Sequence, residues 1–117
     1  MPHQAPLGYV AMLAAFVGLG LFVLPGSAQT DAPEVEALFK ENDCHKCHHP
    51  TRSKKGPALQ KIAEKYKGKA DAGDKVVEQM SKGGKVKLDD GTEDDHKIID
   101  VKDPKIRLEI AKWILSH

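Results

Sequence analysis

The apolar residues divide the chain into two parts. Residues 9–24 form an unbroken uncharged run, YVAMLAAFVGLGLFVL, whereas the sequence from Asp31 onward is rich in charged side chains. The small residues GSA soon follow the run, a pattern typical of a secretory signal peptide cleaved after Ala28. An uncleaved anchor is the alternative, because the leading MPHQAPLG has no Lys or Arg, whereas signal peptides usually begin with a positively charged segment. The run of 16 residues is, however, short against the roughly 20 apolar residues that span a bilayer as a helix. We therefore expect a signal peptide at 1–28 and one domain at 29–117.

Four stretches of the second part repeat apolar residues at the spacing of an α-helix. The first is capped by Asp31 and ends near Asn42, and the second begins at Pro57. The third covers residues 72–82, and the last opens with Asp103 as its cap. No stretch indicates a strand. The sequence therefore predicts an all-α fold of four short helices.

The region between the last two helices is unusually long for a small domain. Residues 85–102 show no sustained period, and we interpret them as a loop. Long loops in compact domains are usually functional, and a domain of this size has a small core of its own. A large apolar cofactor would supply the missing packing.

Charge is nearly balanced overall, with a formal net charge of +1, but it is unevenly spread. Eight basic residues and one acid lie between Lys46 and Lys69, whereas DDGTEDDH at 89–96 carries five acids and no base. The simplest explanation is that both groups of charges lie on surfaces exposed to water. The functional explanation is that the basic residues between Lys46 and Lys69 form a basic rim that attracts an acidic partner. Aromatic residues do not alternate with these lysines, so we expect no nucleic-acid binding.

Residues 41–50, ENDCHKCHHP, hold both cysteines of the chain and three of its six histidines. Cys44, Cys47 and His48 form the CxxCH signature of haem c attachment, in which the thiols meet the two haem vinyl groups and the histidine meets the iron. A zinc site at these residues would need ligands from distant segments, and a redox dithiol would need a βαβ context. One covalent haem c is the interpretation that fits the motif.

With three motifs in the family's order, residues 33–116 resemble a class I cytochrome c of the short bacterial monohaem type. The motifs are CHKCH, KGPAL at 55–59 and AKWILS at 111–116. The resemblance implies the small cytochrome c fold, with four short helices wrapped around one covalently attached haem c. It also implies that the Pro57 carbonyl accepts the proton of the His48 imidazole, which would fix the tautomer of this ligand.

The second axial ligand departs from the family's pattern. Short members of the family usually take a methionine from the loop before the last helix, and this loop contains none. We expect His48 and His96 as the axial pair, because His96 lies in that loop and imidazole is a good haem ligand. The alternatives are Met80 of the third helix, or an open site with Lys85 or Lys97 nearby. A histidine in place of methionine predicts a low reduction potential.

The resemblance implies one-electron transfer between redox partner proteins, and the expected signal peptide indicates the periplasm. The basic rim would match an acidic docking surface on the partner. A gas-binding or sensing haem protein with a displaceable distal ligand is one alternative. A haem subunit of an oxidoreductase complex is another. No acid, base or nucleophile constellation indicates an enzyme, and we expect membrane contact only if residues 1–28 are retained.

Overall fold

Four α-helices supply most of the regular structure in residues 31–117, the part of the chain that the computed structural model describes. They are α1 (Ala32–Glu41), α2 (Leu59–Tyr66), α3 (Ala72–Lys82) and α4 (Pro104–Leu115), and a short 3₁₀ turn covers Cys44–Lys46. The signal peptide expected at 1–28 lies outside the described residues. Within residues 31–117, no helix combines the length and apolar character needed to cross a membrane.

The ends of the first and last helices follow local sequence signals. The side chain of Asp103 accepts a hydrogen bond from the Lys105 amide at 2.8 Å, and Pro104 occupies the first turn of α4. Such a bond satisfies one of the N–H groups that every helix start leaves free. Asp31 occupies the same position before α1, but its side chain makes no capping hydrogen bond. The expected cap of α1 is therefore present in position only.

Helix α2 begins two residues later than the sequence predicts. The Leu59 amide donates to the His49 carbonyl at 2.9 Å, and the Gln60 amide donates to the Pro50 carbonyl at 3.1 Å. These carbonyls satisfy the first free N–H groups of α2. The start of the helix is thereby joined to the residues that directly follow the CxxCH motif.

The prediction that residues 85–102 form a loop without strands is wrong at two places, residues 85–87 and 93–96. Strands β1 (Gly84–Lys87) and β2 (Glu93–His96) form an antiparallel hairpin that pairs Gly84 with His96. The turn is closed by a 2.8 Å hydrogen bond from the Leu88 amide to the Thr92 carbonyl. The strands lack alternating apolar residues because the hairpin is largely exposed, so the usual sequence signal of a strand is missing.

The core lies where the helices meet. The rings of Phe39 on α1 and Trp113 on α4 have centroids 5.2 Å apart and are tilted by 59°, a favourable geometry for an aromatic pair. Leu59 and Ile110 are the largest fully buried side chains of the described residues. The buried cluster also includes residues from α3 and from the chain after the hairpin: Val76, Met80, Ile99 and Val101.

Candidate haem site

The CxxCH motif forms one tight turn directly after α1. The amides of Cys47 and His48 both donate to the Cys44 carbonyl, at 3.2 and 2.9 Å. Asp43 enters the turn in the left-handed conformation, with φ of +60°, which Asp tolerates better than most residues. Both thiols are half-buried and free of any disulfide. The motif therefore brings two available thiols and one imidazole into a single turn.

The thiol of Cys44 lies against the backbone. Its Sγ atom is 3.7 Å from the Asn42 carbonyl oxygen, and burial raises the pKa of the thiol. No group of three or more His, Cys, Asp or Glu side chains arranged to hold a metal ion occurs within residues 31–117.

The imidazole of His48 is held from one side. Its Nδ1 atom donates to the Pro57 carbonyl at 2.7 Å, the contact that the family resemblance implies. Burial lowers the pKa of His48, the Pro57 carbonyl opposes this shift, and the nearby His96 ring adds to it. A neutral imidazole with its proton on Nδ1 leaves Nε2 free to bind a metal.

Gly56 packs against the same imidazole. A Cβ atom at this position would lie 2.8 Å from Cε1 of His48 and 3.3 Å from the Cys47 carbonyl oxygen. The Gly56 amide donates to that carbonyl at 3.0 Å, which keeps the chain close to the motif. The sequence analysis missed this role of Gly56, although the GP pair within KGPAL marks the position as a tight turn.

His96 ends strand β2 and faces His48. The two ring centroids are 6.2 Å apart, and the ring planes are inclined by 50°. Nδ1 of His96 donates to the Lys97 carbonyl at 2.9 Å, so Nε2 of this ring is also free. Two metal–nitrogen bonds of about 2 Å each, together with the two ring radii, span a separation of this size. The centroid distance is therefore compatible with both imidazoles binding one metal ion.

The other candidate distal groups have different surroundings. Met80 of α3 is buried in the hydrophobic core, and its carbonyl accepts a hydrogen bond from the Ile99 amide at 2.8 Å. The Lys85 amine contacts Asp95 at 3.0 Å, and the Lys97 amine contacts Asp43 at 2.8 Å. The geometry therefore favours His96 over Met80 and over either lysine as the group opposite His48.

Two stretches of chain carry the candidate axial ligands. We call residues 42–57 the attachment segment and residues 96–101 the distal segment. The attachment segment begins with Asn42, whose side chain contacts the distal segment at Asp100. The sequence analysis treated Asn42 only as the end of α1 and missed this long-range contact.

The chain is similar to known proteins of one family. The sequence model of the cytochrome c family matches residues 32–114. The chain is 32% identical over 81 residues to cytochrome c-552 of Hydrogenobacter thermophilus, an alignment covering 69% of this chain and 79% of the relative. It is 40% identical over 74 residues to cytochrome c-552 of Nitrosomonas europaea, covering 63% and 66% of the two chains.

A solved structure is also similar. The class 1 cytochrome MtoD from Sideroxydans lithotrophicus ES-1 superimposes with a TM-score of 0.70 at 41% sequence identity. The match covers 74% of this chain and 95% of that protein. The similarity therefore extends over almost the whole of a small protein of that kind.

Proposed function

The chain belongs to the cytochrome c family, and from this premise we propose that it carries single electrons in the periplasm through a low-potential haem c with His48 and His96 as axial ligands. Membership confirms the fold and the cofactor predicted from the sequence, a four-helix cytochrome c fold with covalent haem c. Haem-based electron transfer is the activity of this family. The axial pair, the potential and the location are the proposed part.

The observation that carries the proposal is the approach of the two imidazoles. His48 and His96 have ring centroids 6.2 Å apart, and the Nδ1 atom of each ring donates a hydrogen bond to a backbone carbonyl. Both Nε2 atoms are thereby left for a metal, in the tautomer that binds it. Met80 is 7% exposed and its neighbours are core side chains, which supports a structural role for it.

Different residues would attach the haem, ligate its iron and orient the proximal imidazole. Cys44 and Cys47 would hold it through thioether bonds, and His48 and His96 would ligate its iron. The Pro57 carbonyl orients His48 and increases its basicity. The haem supplies the one-electron chemistry when it is bound, and the protein tunes its potential.

The low potential follows from the ligand type. Imidazole donates more strongly than a thioether and stabilises ferric iron, whereas methionine raises the potential. Asp94 and Asp95, beside His96, would act in the same direction by favouring the extra positive charge. Both carboxylates are exposed, so water screens them and their contribution is small.

The basic rim supplies a docking surface for an acidic redox partner. Exposed cations cluster around the attachment segment and α2: Lys46, Arg52, Lys54, Lys55, Lys61, Lys65, Lys67 and Lys69. Charges of one sign steer an oppositely charged partner and give weak, salt-sensitive association suited to electron carriers. We assign the chain no catalytic reaction of its own.

The periplasmic location rests on residues 1–28 of the sequence. Their uncharged run and small-residue cleavage pattern are those of an exported protein. Covalent attachment of haem c at free thiols is compatible with that route. Sizing of the mature protein by mass spectrometry would distinguish cleavage after Ala28 from a retained anchor.

The axial pair can be tested by optical and low-temperature EPR spectra of the ferric holoprotein. We expect a six-coordinate low-spin signal without the near-infrared methionine-to-iron band. His96→Ala should convert it to high spin, whereas the control Met80→Leu should leave it unchanged. His96→Met should raise the potential by on the order of 0.1 V, a part of the roughly 0.8 V that axial ligands control.

Two other outcomes would overturn the proposal. A methionine band that disappears in Met80→Leu would assign Met80 as the ligand and predict a high potential. A high-spin spectrum in the unmodified protein would indicate an open site and favour gas binding or sensing over electron transfer.

A further inference from the structure

Asn42 joins α1 to the distal segment through both ends of its side-chain amide. Nδ2 donates to the Leu38 carbonyl at 2.9 Å, and Oδ1 accepts the Asp100 amide at 2.7 Å. The residue is 7% exposed and is the one buried polar residue among residues 31–117. A buried amide with both ends satisfied is a costly group to remove, because its partners would stay buried without a bond.

The position of Asn42 relates this contact to the haem. Asn42 lies two residues before Cys44, and Asp100 lies four residues after His96. The thioether bonds would fix the haem to the attachment segment, so the reach of His96 depends on how the distal segment is held against it. Among the described residues, two side-chain hydrogen bonds join these segments: Asn42 with Asp100, and Asp43 with Lys97.

Other contacts fix the distal segment to different parts of the fold. The Ile99 amide donates to the Met80 carbonyl of α3 at 2.8 Å. The Arg107 side chain of α4 donates to the Val101 carbonyl. These contacts join the segment to α3 and α4 rather than to the attachment segment.

The two joining contacts differ in expected strength. The Asp43 and Lys97 side chains are 42% and 56% exposed, and ion pairs in water contribute little because solvent screens them. The Asn42 contact is shielded from water, and losing its acceptor would leave the Asp100 amide unsatisfied. The Asn42 contact is therefore the stronger of the two contacts that join the segments.

We propose that Asn42 is a positioning residue for the distal ligand, and that its bond to the Asp100 amide sets how firmly His96 stays on the haem iron. The inference rests on the proposed function, since it takes His96 as an axial ligand. When the bond is lost, the distal segment moves more freely and His96 leaves the iron more often. An external ligand then gains access to the position that His96 vacates.

Carbon monoxide binding to the ferrous holoprotein measures this access, because CO enters only after His96 has left. Asn42→Leu, which keeps the number and branching of the side-chain heavy atoms but has no acceptor, should speed CO binding by about tenfold, the factor for a buried donor left unsatisfied. Asn42→Ala removes the same acceptor by truncation and replaces the leucine variant if that protein does not fold. Asp43→Asn, which weakens the exposed pairs with Lys97 and Lys46, should leave the rate within about twofold of the unmodified protein.

Asn42→Asp separates positioning from general stability. In either protonation state one side-chain oxygen can accept the Asp100 amide, while the donor to Leu38 is weakened or lost. We expect CO binding near the unmodified rate together with a lower denaturation midpoint. Equal acceleration in the aspartate and leucine variants would assign Asn42 a structural role only and overturn the inference.

Amide hydrogen exchange at Asp100, measured by NMR of the ferrous holoprotein, distinguishes a failure of the Asn42 inference from a failure of the proposed axial pair. Faster exchange in Asn42→Leu with unchanged CO binding would overturn the inference and leave the axial assignment intact. CO binding in the unmodified protein as fast as in His96→Ala would instead overturn the proposed axial pair. Faster exchange together with faster CO binding is the expected result.

Discussion

The two sides of the haem site are built in different ways. On the proximal side, the cysteines, His48, Gly56 and Pro57 lie within fourteen consecutive residues, and the contact that orients His48 joins positions nine apart. On the side proposed to be distal, His96 ends a hairpin, and the residues that follow it are joined to Asn42 by a contact between positions 58 apart. The proximal side is thus a local structure, whereas the distal side depends on the folded whole.

This difference indicates where the protein's properties can vary. A local motif keeps its geometry whenever its few residues are present, so the attachment chemistry is insensitive to distant substitutions. The distal ligand depends on core packing and on buried polar contacts in other elements, each worth about 1 kcal/mol or more. Substitutions far from the haem should therefore act mainly through the distal ligand.

The largest effect on stability is expected at Ile99, a buried residue of the distal segment whose neighbour Ile98 is exposed. Ile99 is 5% exposed and Ile98 is 57% exposed. Ile99→Ala should lower the free energy of unfolding by about 2–5 kcal/mol, because it leaves a cavity in the core. Ile98→Ala should change it by less than about 0.5 kcal/mol.

Guanidinium unfolding of the two holoproteins, followed by far-UV circular dichroism, measures this contrast. Ile99→Ala should also increase high-spin character in the ferric spectrum, because the distal segment loses its anchor in the core. Similar stability losses in the two variants would contradict the assignment of Ile99 as that anchor.

A smaller effect is expected on the proximal side at Gly56. The Cβ atom of Gly56→Ala would lie 2.8 Å from the His48 ring, closer than atoms of this kind approach. Overpacking should cost about 1–3 kcal/mol of unfolding free energy and displace the imidazole from its contact with Pro57. Denaturant unfolding and the ferric optical spectrum measure the two consequences.

Gly73→Ala is the matched control, since it adds the same methyl group within α3. Its Cβ would lie 3.1 Å from the end of the Leu108 side chain, which can move, and alanine favours the helix. We expect little net change in stability and an unchanged spectrum. A Gly56→Ala protein that behaved like this control would show that the imidazole does not need the space.

The local features of the fold could be predicted from the sequence. The third helix has the predicted bounds, and Asp103 caps α4 as its sequence signal indicates. These features depend on neighbouring residues, so local patterns are sufficient to find them. The haem prediction likewise depended on a motif of five consecutive residues.

The long-range features could not be predicted in this way. The β1–β2 hairpin has charged strands, and one of its cross-strand contacts joins Lys85 with Asp95, so it lacks the apolar alternation that identifies a strand. The role of Asn42 depends on a partner in the distal segment, which no local pattern indicates. His96 was proposed as a ligand because the loop lacked a methionine, but its approach to His48 is visible only in the folded arrangement.

The smallest effect on stability is expected at the exposed contact of Asp43 with Lys97, which joins the attachment and distal segments. Hydrogen bonds from Lys97 and Lys46 lower the pKa of Asp43 from 3.8 to about 2. A carboxylate whose pKa is lower in the folded state stabilises the protein above its unfolded pKa, and this contribution decreases as the pH falls below 3.8 and is lost below about 2. Asp43→Asn should therefore lower the denaturation midpoint slightly at pH 7 and by less near pH 2.

The control is Asp100→Asn, which removes the same charge from the distal segment and keeps the backbone amide that Asn42 binds. Asp43→Asn should lower the pH 7 midpoint more than this control does, and 1 M salt should reduce the difference by screening the pair. A difference that did not shrink toward pH 2 or in high salt would mean that Asp43 acts through the left-handed turn rather than through its charge. Asparagine also tolerates that conformation, so the comparison measures the pairing of Asp43 with Lys97 and Lys46 together.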